Sequence, residues 1–239
     1  MTQVSSRAFR RFTTINNRGQ AIMRTIAFVT QKGGSGKSTI ASSLAVAAHE
    51  AGERVFVFDM DPQQSLVKWS KTRGEADIPV ETVTPAKLPA ALAALAKAGV
   101  TLCILDTAGA DSPAAAAAMK AADLCVVPSR PNAFDLWATE MTRKTLREIG
   151  RDYVFLLNQC PPAQQSSRVS EGVAALEAMG GLVSPLIGAR VDYQEAARHG
   201  YGVNELNPSG QAAEEMRKLW SSIKRRTGKA KPAAMKKAA

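Results

Sequence analysis

Short apolar runs alternate with longer amphipathic or alanine-rich runs along the chain. The short runs are apolar at successive positions, which is typical of strands buried on both faces of a parallel sheet. Most of the longer runs end at a glycine, which favours helices closed by a glycine cap. The pattern predicts strands at 25–30, 55–58, 78–83, 102–105, 124–127, 153–157 and 182–187. It predicts helices at 38–51, 64–71, 87–98, 113–122, 134–149, 167–179, 193–199 and 209–226.

This alternation predicts an α/β fold with three layers, in which helices flank a doubly wound, mostly parallel sheet. Right-handed crossovers bring the carboxyl ends of the strands to one edge of such a sheet, and ligands bind there. We therefore expect the chemistry of this chain in the loops that follow the strands.

Composition narrows the class of protein. With 239 residues, 45% of them hydrophobic, the chain can form a substantial core, which excludes a disordered chain or a small disulfide-stapled scaffold. No uncharged apolar run reaches about 18 residues, so no membrane-spanning helix is expected, and the start lacks the apolar segment of a secretory signal. Cys103, Cys125 and Cys160 form no CxxC pair, which favours buried thiols in a reducing cytoplasm.

Positive charge is concentrated at the two ends of the chain, whose net charge is +10. Residues 1–24 hold five arginines, and residues 224–239 hold seven lysines and arginines, with no acid in either segment. Such ends are typical of contacts with phosphate backbones, although solvated ends without a partner have the same composition. We predict a basic arm at 1–23, a folded domain at 24–223 and a basic tail at 224–239. Because Met23 directly precedes the first strand, a start at that residue stays open.

A glycine-rich motif, KGGSGKST, lies between the first predicted strand and the first predicted helix. This is the context of a phosphate-binding loop, in which glycines let successive N–H groups converge on phosphate oxygens at a helix N-terminus. Lys37 is predicted to reach the β- and γ-phosphates, the Ser38 hydroxyl to ligate Mg²⁺, and Thr39 to approach the α-phosphate. The predicted ATP-binding residues of this loop are Lys32, Gly33, Gly34, Ser35, Gly36, Lys37, Ser38 and Thr39.

The motif departs from the usual phosphate-loop pattern at two positions. Gln31 stands where the first glycine is expected, and an additional lysine, Lys32, lies inside the loop. With these features the sequence resembles the ParA/MinD superfamily of deviant-Walker P-loop ATPases over about residues 24–222. The resemblance implies catalytic roles for Lys32 and Lys37, with Lys32 reaching the nucleotide of the second chain in an ATP-sandwiched homodimer. A second cation there would stabilise charge on the transferred phosphoryl group, as an arginine finger does.

Three acids follow predicted strands. Asp59 and Asp61 lie in the stretch DMDPQ, and Asp106 ends the strand in LCILDTAG, which is the Walker B arrangement. Asp106 is predicted to hold Mg²⁺ through water, together with Ser38. The resemblance implies that Asp61 positions the attacking water and that Asp59 supports the Mg²⁺ shell. Gly109 is predicted to let the backbone approach the γ-phosphate.

Two further features rest on the resemblance. Asn158 follows the strand at 153–157, and relatives use an asparagine at this place to bind the adenine edge. An asparagine that only ends the strand is the open alternative. The segment 128–135 is similar to a loop of small partition ATPases and is expected at the dimer face.

The first 23 residues are too short for the helix-turn-helix domain of larger partition ATPases, so the chain resembles the compact ParA type. The resemblance implies an ATPase, weak alone, that uses ATP and Mg²⁺, dimerises, binds DNA non-specifically and releases it on hydrolysis. The cargo would be a plasmid, a chromosome or a protein assembly, and a ParB-like adaptor would stimulate turnover. We expect the protein in the cytoplasm, at the nucleoid, with no membrane contact. The predicted DNA contacts are Lys224, Arg225, Arg226, Arg198 and Arg217.

Two alternative functions remain open. A MinD-like membrane-surface ATPase would carry an amphipathic C-terminal helix, whereas the tail here has no apolar stripe and contains Pro232. A metabolic or metal-carrier ATPase of the same superfamily would need a substrate pocket or cysteine ligands that the sequence does not show.

Overall fold

Strands and helices alternate through the part of the chain that the computed structural model describes, residues 23–109, 111–161 and 166–228. The predicted arm at 1–23, apart from Met23, and the end of the predicted tail, 229–239, lie outside these ranges. The strands are β1 (Arg24–Phe28), β2 (Val55–Asp59), β3 (Val80–Thr82), β4 (Leu102–Asp106), β5 (Leu124–Ser129) and β6 (Tyr153–Leu157). The helices are α1 (Lys37–Glu50), α2 (Ser65–Arg73), α3 (Leu88–Lys97), α4 (Pro113–Ala121), α5 (Ala133–Glu148), α6 (Ser167–Met179), α7 (Val191–Arg198), α8 (Val203–Leu206) and α9 (Gln211–Thr227).

The strands of these ranges form one six-stranded sheet in the order β3-β2-β4-β1-β5-β6, and every pairing is parallel. This confirms the predicted α/β fold. Phe28 of β1 and Asp59 of β2 both pair in register with Asp106 of β4. The carboxyl ends of three neighbouring strands are therefore level, and the loops that carry the candidate chemistry leave the sheet at the same edge.

Two apolar layers cover the two faces of the sheet. Successive residues of β1 and the residue after it alternate between these layers, with Ile26 and Phe28 in one layer and Ala27 and Val29 in the other. The first layer includes buried residues of α1, α2, α7, α8 and α9, and the second includes those of α3, α4, α5 and α6. The sheet is thus covered on both sides, as uniformly apolar strands require.

The predicted strand at 182–187 is wrong. This segment runs beside β6 but forms only isolated bridges in the described residues, pairing Leu182 with Phe155 and Gly188 with Cys160. The N–H groups of Val183 and Ile187 donate to backbone carbonyls of the neighbouring segment. Pro185 lies between them and has no N–H to donate, so the ladder is interrupted. Helix α8 was also not predicted, because four residues are too few to show a helical period.

Candidate nucleotide-binding site

The glycine-rich loop connects β1 to α1 at the carboxyl edge of the sheet. Gly34 and Gly36 have φ angles of 75° and 90°, in the left-handed region that favours glycine. A Cβ at Gly36 would also collide with the side-chain amide of Asn158. Both the backbone conformation and the space around it therefore require glycine at position 36, directly before the first residue of α1.

Lys37, the first residue of α1, points into the site instead of into solvent. Its side chain is buried, and its ammonium donates to the backbone carbonyl of Lys32 over 3.3 Å. Burial lowers the pKa of Lys37, while the negative charges of Asp106 and Asp61 raise it in part. The charges of the two acids do not fully offset the cost of burying the Lys37 ammonium. An anion bound beside this ammonium would therefore stabilise its charged form.

Ser38 and Asp106 meet across the loop. The Ser38 hydroxyl donates to Oδ2 of Asp106 over 2.6 Å, and Asp106 is fully buried. Burial raises the pKa of Asp106 to about 7, against the lowering effects of the Ser38 hydrogen bond and the Lys37 charge. Within the described ranges, Oδ1 of Asp106 is buried and has no hydrogen-bond partner. A hydroxyl and a carboxylate with an unpaired oxygen are a donor set that fits Mg²⁺.

Asp59 stabilises the loop that follows β2. One carboxylate oxygen accepts the backbone N–H of Asp61 over 3.1 Å, and the other accepts those of Leu66 and Val67 over 2.9 and 3.1 Å. Burial raises the pKa of Asp59, and these three backbone hydrogen bonds lower it in part. Asp59 thus caps the first turn of α2 and fixes the backbone of Asp61, whose own carboxylate accepts the N–H of Gln63 over 2.9 Å.

Asn158 and Gln159 attach the end of β6 to the phosphate loop. The Asn158 side-chain amide donates to the carbonyl of Ser35 over 2.8 Å, and the Gln159 amide donates to that of Gly34 over 3.1 Å. Asn158 also lines a cavity of about 360 Å³ beside Thr39. The other residues that line it are Gly36, Ile40, Gln159, Gly188, Ala189, Arg190, Val191, Tyr193 and Gln194.

Glu215 of α9 binds two residues that line this cavity, Arg190 and Tyr193. The sequence pattern did not indicate this residue. Its carboxylate accepts hydrogen bonds from the Arg190 guanidinium over 2.8 and 3.1 Å and from the Tyr193 hydroxyl over 3.0 Å. Burial and the Glu215 charge raise the pKa of Tyr193. These residues lie more than 20 positions from Glu215, so no local motif joins them in the sequence.

Gly109 brings the loop after β4 against the phosphate loop. A Cβ at this position would lie 2.6 Å from the carbonyl oxygen of Lys32 and 2.7 Å from the backbone of Gly33. Only glycine permits this approach, because both groups that a side chain would meet are backbone atoms.

The sequence profile of the CobQ/CobB/MinD/ParA nucleotide binding domain matches residues 26–203, about three quarters of the chain. The chain belongs to this family. The matched range contains the phosphate loop, the acids after β2 and β4, and Asn158, so the ParA/MinD resemblance is confirmed.

Individual relatives support the assignment of this chain to the ParA/MinD family. It is 36% identical over 166 residues to the maintenance of carboxysome distribution protein A of Gloeobacter kilaueensis, covering 65% of this chain and 75% of that one. It is 31% identical over 159 residues to the chromosome-partitioning ATPase Soj of Thermus thermophilus, covering 54% and 64%. The septum site-determining protein MinD of Pyrococcus horikoshii, solved with Mg-ADP, has the same fold, with a TM-score of 0.68 at 22% identity over 88% of this chain and 100% of that one.

The two lysines of the family's deviant loop diverge. Whereas Lys37 is buried, Lys32 is half-buried and its ammonium lies 5.9 Å from the centre of the Phe134 ring at the start of α5. The side chain of Lys32 is thus held beside α5, at the outer side of the loop. The segment 128–135 that the sequence analysis singled out contains this aromatic contact.

The predicted DNA-contacting residues do not form one group. Lys224, Arg225 and Arg226 lie in the last turn of α9, so the predicted boundary at 223/224 falls inside a helix. Lys224 forms a 2.9 Å ion pair with the buried carboxylate of Glu53. The exposed side chains of Arg217, Lys224 and Arg225 line one groove along α9, whereas Arg198 is exposed on α7.

Three further observations bear on the alternatives. Cys103, Cys125 and Cys160 are buried and form no disulfide, and burial raises the pKa of each thiol, to about 11 for Cys160. Residues 23–109, 111–161 and 166–228 contain no group of three or more His, Cys, Asp or Glu side chains that is suited to a metal ion. Within the same ranges, no helix has the length and apolar character that crossing a membrane requires.

Proposed function

We propose that this chain is an ATP-driven switch that self-associates with ATP, binds DNA without sequence preference and releases it on hydrolysis, and so positions a cargo. The main support for this proposal is that the two lysines of the phosphate loop, Lys37 and Lys32, lie in different places. Lys37 is buried beside Ser38 and Asp106, where phosphates would bind, while Lys32 is held outside the loop at Phe134. One lysine is thus available to the chain's own nucleotide, and the other to a nucleotide on a second chain.

The nucleotide site combines the phosphate loop with the cavity beside Asn158. The N–H groups of the loop and Lys37 bind the phosphates, Thr39 lies at the α-phosphate, and Asn158 binds the adenine edge in the cavity of about 360 Å³. Ser38 and Asp106 hold Mg²⁺, which when bound neutralises phosphate charge. The three backbone hydrogen bonds of Asp59 support this arrangement by fixing the loop that carries Asp61.

Hydrolysis in this proposal needs a second copy of the chain. Asp61 orients the attacking water, and Lys32 of the second copy stabilises charge on the γ-phosphoryl group. Because that cation comes from another molecule, the isolated chain turns over slowly. A ParB-like adaptor that orders the pair accelerates hydrolysis.

DNA binding is assigned to the basic surface of α9. Arg217 and Arg225 line one open groove, and Arg226 extends the basic turn beyond it. Arg198 lies on α7 and contributes from a neighbouring helix. Lys224 also lines this groove, but we assign it a mainly structural role, because its ammonium already pairs with buried Glu53. Contacts of this kind are electrostatic and weaken steeply with salt.

The cargo is a protein assembly or a DNA molecule. The named relatives distribute carboxysomes or partition chromosomes. A switch of this kind works in the cytoplasm, on the nucleoid, and needs no membrane.

Binding to a random-sequence DNA duplex at two salt concentrations tests the proposal. Binding is compared without nucleotide and with ADP, ATP or a non-hydrolysable ATP analogue. We expect salt-sensitive binding only with ATP or the analogue. Lys32→Ala is the matched control, which should bind nucleotide but neither self-associate nor bind DNA. Binding that ignores nucleotide would mean that basic segments act alone, and absence of binding would reject DNA as the surface on which the switch works.

A further inference from the structure

The cavity beside the phosphate loop has walls from two parts of the chain. Asn158 and Gln159 at the end of β6 form one wall, and the segment 188–194, which leads into α7, forms another. Among the described residues that line the cavity, Arg190 is the only charged one, and its side chain is 31% exposed. An occupant of the cavity would therefore meet two side-chain amides and a guanidinium.

Glu215 of α9 holds one edge of the Arg190 guanidinium. Oε1 of its carboxylate accepts hydrogen bonds from Nε over 3.1 Å and from Nη2 over 2.8 Å. Oε2 accepts the Tyr193 hydroxyl over 3.0 Å and the backbone N–H of Gly188 over 3.4 Å. A single carboxylate thus joins α9 to the wall of the cavity, and it occupies the Nε and Nη2 donors of Arg190.

Gly188 lies against one face of the same guanidinium. A Cβ at Gly188 would lie 3.1 Å from Nε, from Cζ and from Nη2 of Arg190. A point at this distance from three bonded atoms of a planar group, and equally far from each, lies over the face of the plane and not at its edge. The guanidinium is therefore stacked flat on the glycine backbone. The parts that these contacts leave for a ligand are its opposite face and Nη1.

We propose that Arg190 stacks the remaining face of its guanidinium on the purine base of the nucleotide, and that Glu215 is the positioning residue that holds Arg190 in place. This role rests on the proposed function, in which the cavity takes the base. A guanidinium is planar and is attracted to the π-system of an aromatic ring that lies parallel to it. Stacking does not depend on the hydrogen-bonding edge of the base, which is left to Asn158.

The ion pair with Glu215 explains why Arg190 is assigned to the base and not to the phosphates. The carboxylate balances the charge of the guanidinium, so this wall offers a flat surface with little net charge. It also fixes a long side chain before a ligand arrives, so less rotamer freedom is lost on binding. Lys37, whose charge the neighbouring acids do not fully offset, is the cation for the phosphates.

Calorimetric titration of the full chain with ADP and with inorganic pyrophosphate separates the base from the phosphates. Arg190→Met removes the planar group and should weaken ADP binding about tenfold, as expected for the loss of one stacking contact. Arg190→Lys keeps the charge but has no flat face, so it should weaken ADP binding equally. Pyrophosphate affinity should stay unchanged in both variants, which also shows that the phosphate loop is folded.

Arg143→Met is the matched control for the loss of a paired arginine. Arg143 also pairs with a glutamate, Glu140, over 3.1 Å, but it lies on α5, away from the cavity. Its replacement should leave the affinities for ADP and pyrophosphate unchanged.

Double variants test whether Glu215 acts through Arg190. Glu215→Gln should weaken ADP binding about threefold to tenfold, because a neutral amide holds the guanidinium less firmly. In the Arg190→Met chain the same substitution should have no further effect, since two residues that act through one contact are not additive. Gly188→Ala keeps every charge and should behave in the same way, because its methyl group displaces the guanidinium. The φ angle of Gly188 lies outside the left-handed region, so alanine adds no backbone strain there.

The outcomes separate the role of Arg190 from the proposed function. Unchanged ADP affinity in Arg190→Met, or wild-type affinity in Arg190→Lys, would overturn the stacking role and leave the ATP switch intact. Equal losses of ADP and pyrophosphate affinity would also overturn it, by assigning Arg190 to the phosphates. A further loss from Glu215→Gln in the Arg190→Met chain would reject the positioning role. A wild-type chain that binds ADP but never binds DNA with ATP would reject the switch alone, and one that binds neither ADP nor pyrophosphate would reject both.

Discussion

The hydroxyl of Ser38 donates to the carboxylate of Asp106 over 2.6 Å, although 68 positions separate the two residues. This hydrogen bond joins the start of α1 to the end of β4 and leaves the second oxygen of Asp106 buried without a partner among the described residues. A fully buried carboxylate with one free oxygen is costly to keep ionised, and its pKa is raised to about 7.

We predict that Asp106 makes the nucleotide-free protein less stable as the pH rises. Its pKa is 3.8 in an unperturbed carboxyl and about 7 in the fold, so between these values the folded chain keeps a proton that the unfolded chain releases. The contribution of Asp106 to the free energy of unfolding should therefore fall from about pH 4 to about pH 7, by up to about 4 kcal/mol. Urea unfolding across this range, without Mg²⁺ or nucleotide, measures the slope.

Asp106→Asn is the variant that isolates this group. The amide stays neutral at every pH, so the slope should flatten and the apo protein should be more stable than wild type at pH 8. Mg²⁺-dependent nucleotide binding should be lost at the same time. A slope that persists in the variant would assign it to another group.

Lys37→Met should separate nucleotide binding from folding. Lys37 is buried at a desolvation cost, and methionine fills similar space without a charge, so thermal stability should stay equal or rise. ATP and ADP affinity should fall by roughly a hundredfold, because a charged hydrogen bond to phosphate is lost. Isothermal titration calorimetry measures this, with Lys32→Met as the control that keeps nucleotide binding. Wild-type affinity in Lys37→Met would reject the assignment of the phosphate loop.

Gly109→Ala should disturb the contact between the two loops. The new methyl group would lie 2.6 Å from the Lys32 carbonyl, and neither backbone segment can move without changing the phosphate loop. We expect ATP turnover to fall at least roughly tenfold, since a small misplacement at a reacting centre has a large effect on rate. Gly150→Ala is the control, because a Cβ there meets nothing within 4 Å and the residue follows α5, away from both loops. Equal turnover in both variants would contradict the idea that the loops act together.

The groove of α9 predicts which basic residues bind DNA. Removing Arg217 and Arg225 together should weaken ATP-dependent DNA binding and reduce the slope of log affinity against log salt by about 2. Fluorescence anisotropy at several salt concentrations measures both quantities. Lys224→Ala should leave the slope nearly unchanged, because its ammonium pairs with Glu53. It should instead lower the free energy of unfolding by about 1 to 2 kcal/mol. A fall of the slope by about 1 in Lys224→Ala would instead assign that lysine to the DNA surface.

Much of the fold was predictable because its signals are local. Six apolar runs, glycine-ended helices and the glycine-rich motif each occupy a few neighbouring positions, and the six-stranded parallel sheet confirms the fold class. The predicted strand at 182–187 was wrong because apolar character alone does not show whether every residue has an N–H donor. Pro185 has none, and the ladder is interrupted there. The network of Glu215 with Arg190 and Tyr193 was invisible for another reason, since its members meet only when α9 packs beside α7.

The sequence by itself determined which groups are available, namely a loop with two lysines, acids after apolar strands and basic ends, because residue types and their spacing are written in the chain. Only the tertiary structure decided where those groups point. In the structure Lys37 is buried, whereas Lys32 lies beside Phe134. The Asp59 carboxylate accepts backbone N–H groups of α2, and Lys224 pairs with Glu53. The tertiary structure also turned the largest apolar side chains of α5 outward. Such choices depend on contacts between segments far apart in the chain, which local patterns do not encode.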